Sequence, residues 1–222
     1  MIQSFQITLF AATINLTNKV ALVDQIDKAL ENLFNGEPLI MPLPENAPPE
    51  IPRIILNSKD QEFSLNISPV RIDLIFNNKK QASMEFKKLS EQMKKYMDLI
   101  VKILISQFSS SFVRMGIINI TKIETDKPLE KLNLYLNTSK SEVKSKKEVQ
   151  LHFYEVEEGK EEKYNNWIRL IAQEYDPNRP GLIMINDINS INTEGNIINV
   201  QQISQIFENV LTKMEENIAT YA

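Results

Sequence analysis

The most constraining feature of this sequence is the order of its hydrophobic patterns, because one order occurs twice along the chain. A strand pattern, a helix pattern, a connection, three strand patterns and a long helix pattern fill residues 1–109, and a comparable series fills residues 110–222. Two segments open the two halves, SFQITLFAATINL and SFVRMGIINITKI. They match in length and in their mixture of apolar and polar residues, with negligible residue identity. We therefore predict a single domain over residues 1–222 in which two related halves share one sheet.

Alternation between apolar and polar residues predicts the type of sheet. It is clear along residues 62–68 and 70–77, where each strand has one wet side and one dry side. Such strands are typical of antiparallel sheets that pack one face on a core. The predicted fold class is α+β: an antiparallel sheet from two related β-α-β-β-β-α halves, with long helices packed on one face and the other face polar and available for binding.

The first helix pattern covers residues 19–34 and leads into a proline-rich connection. Thr17-Asn18 supplies side-chain oxygens suited to capping the start of this helix, and Asn35-Gly36 suits its end. The prolines of residues 38–52 lack amide donors and fix the backbone angle φ. We expect this connection to wrap over a surface without joining the sheet.

The long helix pattern covers residues 81–108 and carries an apolar stripe. The stripe residues recur at spacings of three and four, as in the seam of a coiled coil: Phe86, Leu89, Met93, Tyr96, Ile100 and Ile103. Two interpretations fit. The helix lies diagonally across the sheet and buries the stripe there, or the stripe also pairs with a partner helix or a second copy of the chain.

Composition excludes several kinds of catalytic site. The chain has no cysteine, one histidine and five glycines that lie far apart, which excludes thiolate nucleophiles, cysteine-ligated metals and glycine-rich phosphate loops. His152 lies in a strand pattern between Leu151 and Phe153 without a recognisable serine or aspartate partner, and we interpret it as a strand residue. We expect no cofactor and no bound metal, and we favour a protein that is not an enzyme.

No segment has the pattern of an export signal or a membrane span. Residues 1–16 lack the basic start and sustained apolar run of a signal peptide. The strongly apolar residues 97–105 include Asp98 and Lys102, and they are far fewer than the roughly 20 residues that span a bilayer. We expect a cytoplasmic protein that makes no membrane contact.

Arginines occur in several of the predicted strands: Arg53, Arg71, Arg114 and Arg169. If several of them converge on the open face of the sheet beside Asn66, Ser68 and Asn186, with Asp73 as a further site residue, they form a surface for an anion or a polar ligand, because a guanidinium matches phosphate and carboxylate groups. The alternative is a set of scattered structural pairs. In that case Arg71 pairs with Asp73, which lies two residues away on the same strand face.

Charge gives two further candidate sites. Lysines of the long helix pattern are candidates for contacts with nucleic-acid phosphates: Lys87, Lys88, Lys94 and Lys95. They equally fit the solvated outer face of an amphipathic helix, and the formal net charge of -4 argues against nucleic-acid binding through bulk electrostatics. Asp73 and Asp187 are candidates for a metal-assisted phosphoryl reaction, provided that they lie within a few Å of each other.

Three segments carry a resemblance to a known family: PPEIPRIILNSKDQEFSLNISPVRIDLIF, VRMGIINITKIE and GLIMINDINSI. They resemble a sporadically distributed family of prokaryotic proteins of unknown function. The family's later strands more often show Arg-Tyr-Xaa-Asn and Asp-Xaa-Asp, which Ile118-Asn119 and Asn186-Asp187 match in part. The resemblance transfers no site residue to this chain. The scattered occurrence of the family implies that the chain is encoded by an accessory gene of a mobile element or a defence locus.

Three functional hypotheses follow from these patterns. The first is a non-enzymatic binding or regulatory protein that acts through contact with a protein partner or as a homo-oligomer. The second is a nucleic-acid or anionic-ligand binder that uses the arginine-bearing sheet face and the lysine-rich helix. The third is a metal-assisted phosphoryl enzyme built on Asp73 and Asp187.

Overall fold

The computed structural model describes residues 1–44, 46–136, 148–158, 162–173, 181–192 and 195–221. The strands are β1 (Ile2–Thr13), β2 (Leu39–Ile40), β3 (Ile54–Asn57), β4 (Phe63–Ile67), β5 (Arg71–Asn77), β6 (Ser111–Ile123), β7 (Glu148–Glu158), β8 (Lys163–Gln173) and β9 (Gly181–Ile191). The helices are α1 (Lys19–Ala29), α2 (Phe86–Phe108), α3 (Pro128–Leu136) and α4 (Val200–Tyr221). The sequence also predicts a polar loop over residues 139–147 and an acidic hairpin tip around Gly159. Both positions lie outside the described residues.

All strands join one antiparallel sheet in the order β2-β3-β4-β5-β1-β6-β9-β8-β7, so the predicted α+β fold class is confirmed. The opening strands of the two halves, β1 and β6, pair at the centre from Ile2 opposite Thr121 to Thr13 opposite Ser111. From this junction β5, β4 and β3 extend in one direction, and β9, β8 and β7 extend in the other. This topology is compatible with two related halves, and the duplication itself stays a prediction.

The helices pack on one face of the sheet and bury an apolar core there. Alternate side chains of the central strands are fully buried against them, including Phe5, Ile7 and Leu9 of β1 and Ile117 of β6. Burial of this apolar surface is the main source of stability in a fold of this kind. None of the helices that the structure describes is long and apolar enough to cross a membrane.

The stripe of α2 is used inside the chain. Leu89, Met93 and Ile100 are buried, and α2 packs against α1, α4 and β1. Tyr96 also contacts Phe63 edge to face, with ring centroids 5.9 Å apart. The structure therefore supports the first interpretation of this stripe, in which the helix lies over the sheet, and the stripe is not a free seam for another chain.

Helix α1 ends at Ala29, five residues before the predicted end. The backbone enters the left-handed region at Glu31 and Asn32, with φ of 53° and 59°, and this conformation stops the helix earlier than Asn35-Gly36. Gly36 instead lies against β3, where its amide donates to the Asn57 carbonyl at 2.9 Å. A Cβ at position 36 would lie 2.6 Å from that oxygen, so the close approach requires glycine.

The proline-rich connection joins the sheet, contrary to the prediction. Leu39 and Ile40 form the short strand β2 opposite Ile55 and Ile54 at the edge of the sheet. The amide of Met41 extends this pairing by donating to the Arg53 carbonyl at 2.9 Å. The prediction failed because residues 39–41 separate Pro38 from Pro42 and keep the amides that an edge strand needs.

Candidate binding surface

The face of the sheet opposite the helices carries the sequence-predicted arginines. Among the described residues no helix packs on this side, which we call the uncovered face. Its side chains alternate with those of the core, so that Thr8 of β1, Gly116 of β6 and Asn189 of β9 lie side by side across the sheet. The prediction that helices cover one side only is confirmed, but the prediction of a polar opposite side holds only for part of it.

The uncovered face of the second half is strongly apolar at its centre. An isoleucine patch covers β6, β9 and β8 and consists of Ile118, Ile120, Ile171, Ile183 and Ile185, all half-buried. Ile120 lies directly opposite Ile185, and Ile183 opposite Ile171, so the patch is continuous across neighbouring strands. Such cross-strand pairs bury part of one another. They leave apolar surface towards the solvent that no described residue covers.

An aromatic pair extends the isoleucine patch towards the edge of the sheet. Trp167 of β8 lies opposite Tyr154 of β7, and their ring centroids are 4.2 Å apart. Trp167 remains 39% exposed and Tyr154 50% exposed, and the neighbouring Val156 is 48% exposed. Large aromatic side chains in a contiguous exposed apolar area are typical of a contact surface rather than of free solvent-facing strands.

Arg114 lies at the border of this apolar area, and Arg169 lies inside it, between Trp167 and Ile171 on the same face of β8. The guanidinium carbon of Arg114 lies 3.9 Å from the centroid of the Phe10 ring on β1, a cation-π contact that holds the charge flat on the sheet. Arg169 lies between Ile185 and His152 in the cross-strand register. Both arginines therefore keep donor groups at the uncovered face.

Asp187 is the acidic group at the centre of the same area. Burial raises its pKa above the ordinary value of 3.8, and the hydrogen bond from Asn189 together with the charges of Arg169 and Arg114 offsets only part of this effect. The Asn189 amide donates to Asp187 Oδ1 at 3.2 Å. The carboxylate is thus incompletely compensated by its own chain, and in the described part of the chain it makes no direct ion pair with either arginine.

The first half of the uncovered face contains a closed polar cluster. Asp73 Oδ1 accepts hydrogen bonds from Thr8 Oγ1 at 2.7 Å and from Gln6 Nε2 at 3.0 Å. Its Oδ2 accepts from Arg71 Nε at 2.8 Å. The ion pair between Arg71 and Asp73 that the sequence suggested is therefore present, and it engages both charges inside the sheet.

The predicted arginine set is only partly brought together. Arg71, Arg114 and Arg169 share the uncovered face, whereas the Arg53 guanidinium is buried and donates to the carbonyls of Ile51 and Ala47, both at 3.1 Å. Arg53 therefore holds the proline-rich connection in place and has no donor group on the shared surface. His152 is an exposed strand residue opposite Arg169, on the side away from Leu151 and Phe153, in agreement with its interpretation as a strand residue.

The lysine-rich helix lies on the other side of the sheet from these arginines. Lys87 and Lys95 are exposed, Lys88 pairs with Glu85 at 3.1 Å, and Lys94 pairs with Asp98 at 3.0 Å and donates to Ser204 of α4. The arginine-bearing sheet face and the lysine-rich helix of the second hypothesis therefore do not form one continuous surface. A sheet separates the two groups, and Lys94 joins two helices.

Asp73 and Asp187 do not form a shared metal site. Strands β1 and β6 lie between β5 and β9, which places the two backbones roughly 14 Å apart at about 4.8 Å per strand. Two aspartate side chains cannot bridge that separation through one cation. Among the described residues no group of three or more His, Asp or Glu side chains has the geometry of a metal site.

A cavity of about 540 Å³ lies on the helix side, between α4 and the β7–β8 hairpin. Its polar groups are matched to one another: Lys213 contacts Glu157 at 3.1 Å, and Asn209 donates to the Tyr164 hydroxyl at 3.1 Å. The cavity therefore offers a weaker case for a binding site than the uncovered face.

Sequence reasoning missed the isoleucine patch and the aromatic pair. The available signal was the alternation in β7, where Leu151 and Phe153 face the helices and Tyr154 therefore faces away. The arginines drew attention to the uncovered face, but the isoleucines looked like ordinary strand formers because β-branched residues are common in any strand.

No family model matches the sequence, and no curated protein matches it. Among solved structures, a rolling circle replication initiator protein from Geobacillus stearothermophilus is similar at a TM-score of 0.34 and 7% sequence identity. That alignment covers 96% of this chain and 78% of the other chain. Similarity at this level supports no conclusion about the function of this chain.

Proposed function

We propose that this chain is a non-enzymatic binding protein that contacts another protein through the uncovered face of its second half. The observation that carries the proposal is the isoleucine patch, which together with the exposed Trp167 and Tyr154 surrounds Arg169. Tryptophan, tyrosine and arginine are the residues most enriched among those that dominate protein interfaces. An apolar centre with a polar border is the usual anatomy of such a contact.

The removal of apolar surface from water stabilises this contact. Each apolar Å² removed from water contributes about 25 cal/mol, and the side chains of the isoleucine patch already lie in fixed cross-strand positions. Little conformational entropy is then lost on binding, because β-branched side chains in a sheet are stiff. The surface is therefore suited to rigid docking.

Photo-crosslinking tests this proposal directly. A photoreactive phenylalanine analogue is introduced at Tyr154 on the uncovered face and, as a matched control, at Lys95 on the outer side of α2. We expect a protein adduct from position 154 and none from position 95. Adducts from position 95 alone, or no protein adduct from position 154, would contradict the proposal.

A second candidate function is binding of single-stranded nucleic acid on the same surface. The exposed Trp167 and Tyr154 rings beside Arg169 favour it, because exposed aromatic rings stack bases and arginine binds phosphate. The net charge of -4 weighs against it. Quenching of Trp167 fluorescence by an oligothymidylate, weakened by salt and by Arg169→Ala but not by Lys95→Ala, would support this candidate.

The resemblance to a sporadic prokaryotic family suggests a biological setting for this proposal. We infer an accessory protein of a mobile element or a defence locus. The test is the identity of the neighbouring genes: recombinase, replication or defence genes beside this one support the setting, and a conserved metabolic operon contradicts it.

A further inference from the structure

We propose that the partner on the isoleucine patch is a second copy of this chain, packed sheet on sheet about a two-fold axis through the contact. The inference rests on the proposed function and names the occupant of the same surface. Two copies related by such an axis place identical patches against each other, as in most homodimers. The uncovered face must then be both large enough and complementary to itself.

The lengths and number of the strands limit the area that such a contact can bury. Strands β7, β8 and β9 have 11 residues each, and β6 is slightly longer. Four strands at about 4.8 Å spacing and roughly 3.3 Å per residue cover about 700 Å². The two-fold axis described below crosses the strands of the two copies at about 70°, so the faces overlap at their centres over about 400 Å² per copy, the size of a weak, reversible contact.

The charges of this face are close to balance. The basic side chains are Arg114, Lys122, Lys163 and Arg169, and the acidic ones are Glu148, Glu158 and Asp187. A nucleic acid or a strongly acidic protein would select a surface with a clear excess of positive charge. A nearly balanced face is instead suited to a partner with the same mixture, and a second copy supplies it.

Arg169 and Asp187 supply the charge complementarity at the centre. Arg169 lies opposite Ile185, which is two residues from Asp187 on β9, so the two charges are diagonal neighbours about 7–8 Å apart. Consider a two-fold axis that lies in the plane of the contact and crosses the line from Arg169 to Asp187 at its midpoint and at a right angle. This axis places Arg169 of each copy over Asp187 of the other. Two reciprocal ion pairs result, and they supply the compensation that the half-buried carboxylate lacks within one chain.

The same axis makes a second geometric prediction. Ile185 and Trp167 occupy the other diagonal of this set of four residues, because Ile185 lies opposite Arg169 and Trp167 opposite Asp187. Residues on or near a two-fold axis meet their own copies. Ile185 should therefore face Ile185 of the second copy, and Trp167 should lose water contact when the copies associate.

Analytical ultracentrifugation with paired charge variants tests the arrangement. We expect the wild-type chain to form dimers, and Arg169→Asp or Asp187→Arg alone to weaken dimerisation about tenfold or more, because like charges then oppose each other. An equimolar mixture of the two variants should restore dimers, since both cross-pairs become attractive. A wild-type monomer at about 100 µM, or a folded mixture that stays monomeric, would overturn the proposal.

A thiol variant keeps the test independent of the charge changes. The chain has no cysteine, so Ile185→Cys introduces a single thiol. Mild oxidation should yield a covalent dimer of this variant and none of Ile75→Cys, the control on the uncovered face of β5. Failure of Ile185→Cys to crosslink, or equal crosslinking of Ile75→Cys, would also overturn the proposal.

The two proposals fail in different ways. If the wild-type chain is monomeric but the probe at Tyr154 captures a different protein, the proposed function stands and the second-copy inference is wrong. If single-stranded DNA protects Trp167 from acrylamide quenching while no protein adduct forms at position 154, both proposals are wrong.

Discussion

Asp187 shows how burial of a charged side chain lowers the stability of the single chain. Burial keeps its pKa above 3.8, so the folded chain holds this proton more tightly than the unfolded chain does. The contribution of Asp187 to the free energy of unfolding therefore falls as the pH rises above 3.8. The buried carboxylate still destabilises the folded chain at neutral pH. A half-buried charge that weakens its own monomer is most useful where a partner supplies the compensating charge.

We predict that Asp187→Asn stabilises the dilute monomer at pH 7. The variant removes the cost of burying the charge and keeps the oxygen that accepts from Asn189. After allowance for solvent screening, the gain in the free energy of unfolding should be about 0.5 kcal/mol. Urea unfolding at pH 7 and below pH 3.8 measures it, with the difference disappearing at the lower pH. A less stable variant at pH 7 would show that the arginine charges outweigh burial.

Single-residue roles were predictable from sequence only where the partner was close in the chain. The pair of Arg71 and Asp73 could be inferred because residues two apart share a strand face. The partner of Arg114 is Phe10, which meets it only through the register of β1 and β6. No local pattern encodes that register, and so the role of Arg114 could not be assigned.

At the scale of elements, the proline-rich connection depends on the buried guanidinium of Arg53. Its amino groups donate to the carbonyls of Ala47 and Ile51, which would otherwise lose their partner. The same residue accepts the Met41 amide through its own carbonyl and so completes the edge beside β2. The side chain of Arg53 thus holds residues 47–51, and its backbone carbonyl holds Met41.

We predict that Arg53→Ala loosens this connection and lowers the free energy of unfolding by about 1–3 kcal/mol, because two part-buried carbonyls lose a charged donor. Amide exchange at Met41 should accelerate. The free energy of unfolding of Arg53→Lys should lie between those of the wild-type chain and Arg53→Ala, since an ammonium cannot reach two carbonyls with the geometry of a guanidinium fork. Unchanged stability and exchange in Arg53→Ala would show that the prolines alone hold the connection.

Element boundaries show where sequence patterns lose their value. The start of α1 was predictable, since Asn18 accepts from the Ala21 amide at 3.0 Å as a capping residue should. Its end was not, because apolar residues 33 and 34 continue the helical spacing but reach the core from a loop. The sequence did not predict β2, because this strand forms by pairing with β3 and its own two residues carry no strand pattern.

At the scale of the whole molecule, the pairing of β1 with β6 joins the two predicted halves. Ile117 of β6 lies opposite Ile7 on one side and Ile188 on the other, and all three are almost completely buried. The core thus continues across the junction without an intervening polar layer at this point. The fold class followed from alternation and periodicity, but this continuity could not, because it depends on which strands meet at the centre.

A substitution at the junction therefore tests whether the chain unfolds as one unit. Ile117→Ala should lower the free energy of unfolding by about 2–5 kcal/mol through lost burial and the cavity left behind. Ile75→Ala, on the uncovered face of β5, should cost much less because its side chain is only half-buried. If the halves are one domain, hydrogen exchange of β3 to β5 and of β8 to β9 should accelerate together in Ile117→Ala. Acceleration confined to the second half would mean that β1 and β6 join two units that unfold separately, and the first half would then persist without the surface proposed to bind the partner.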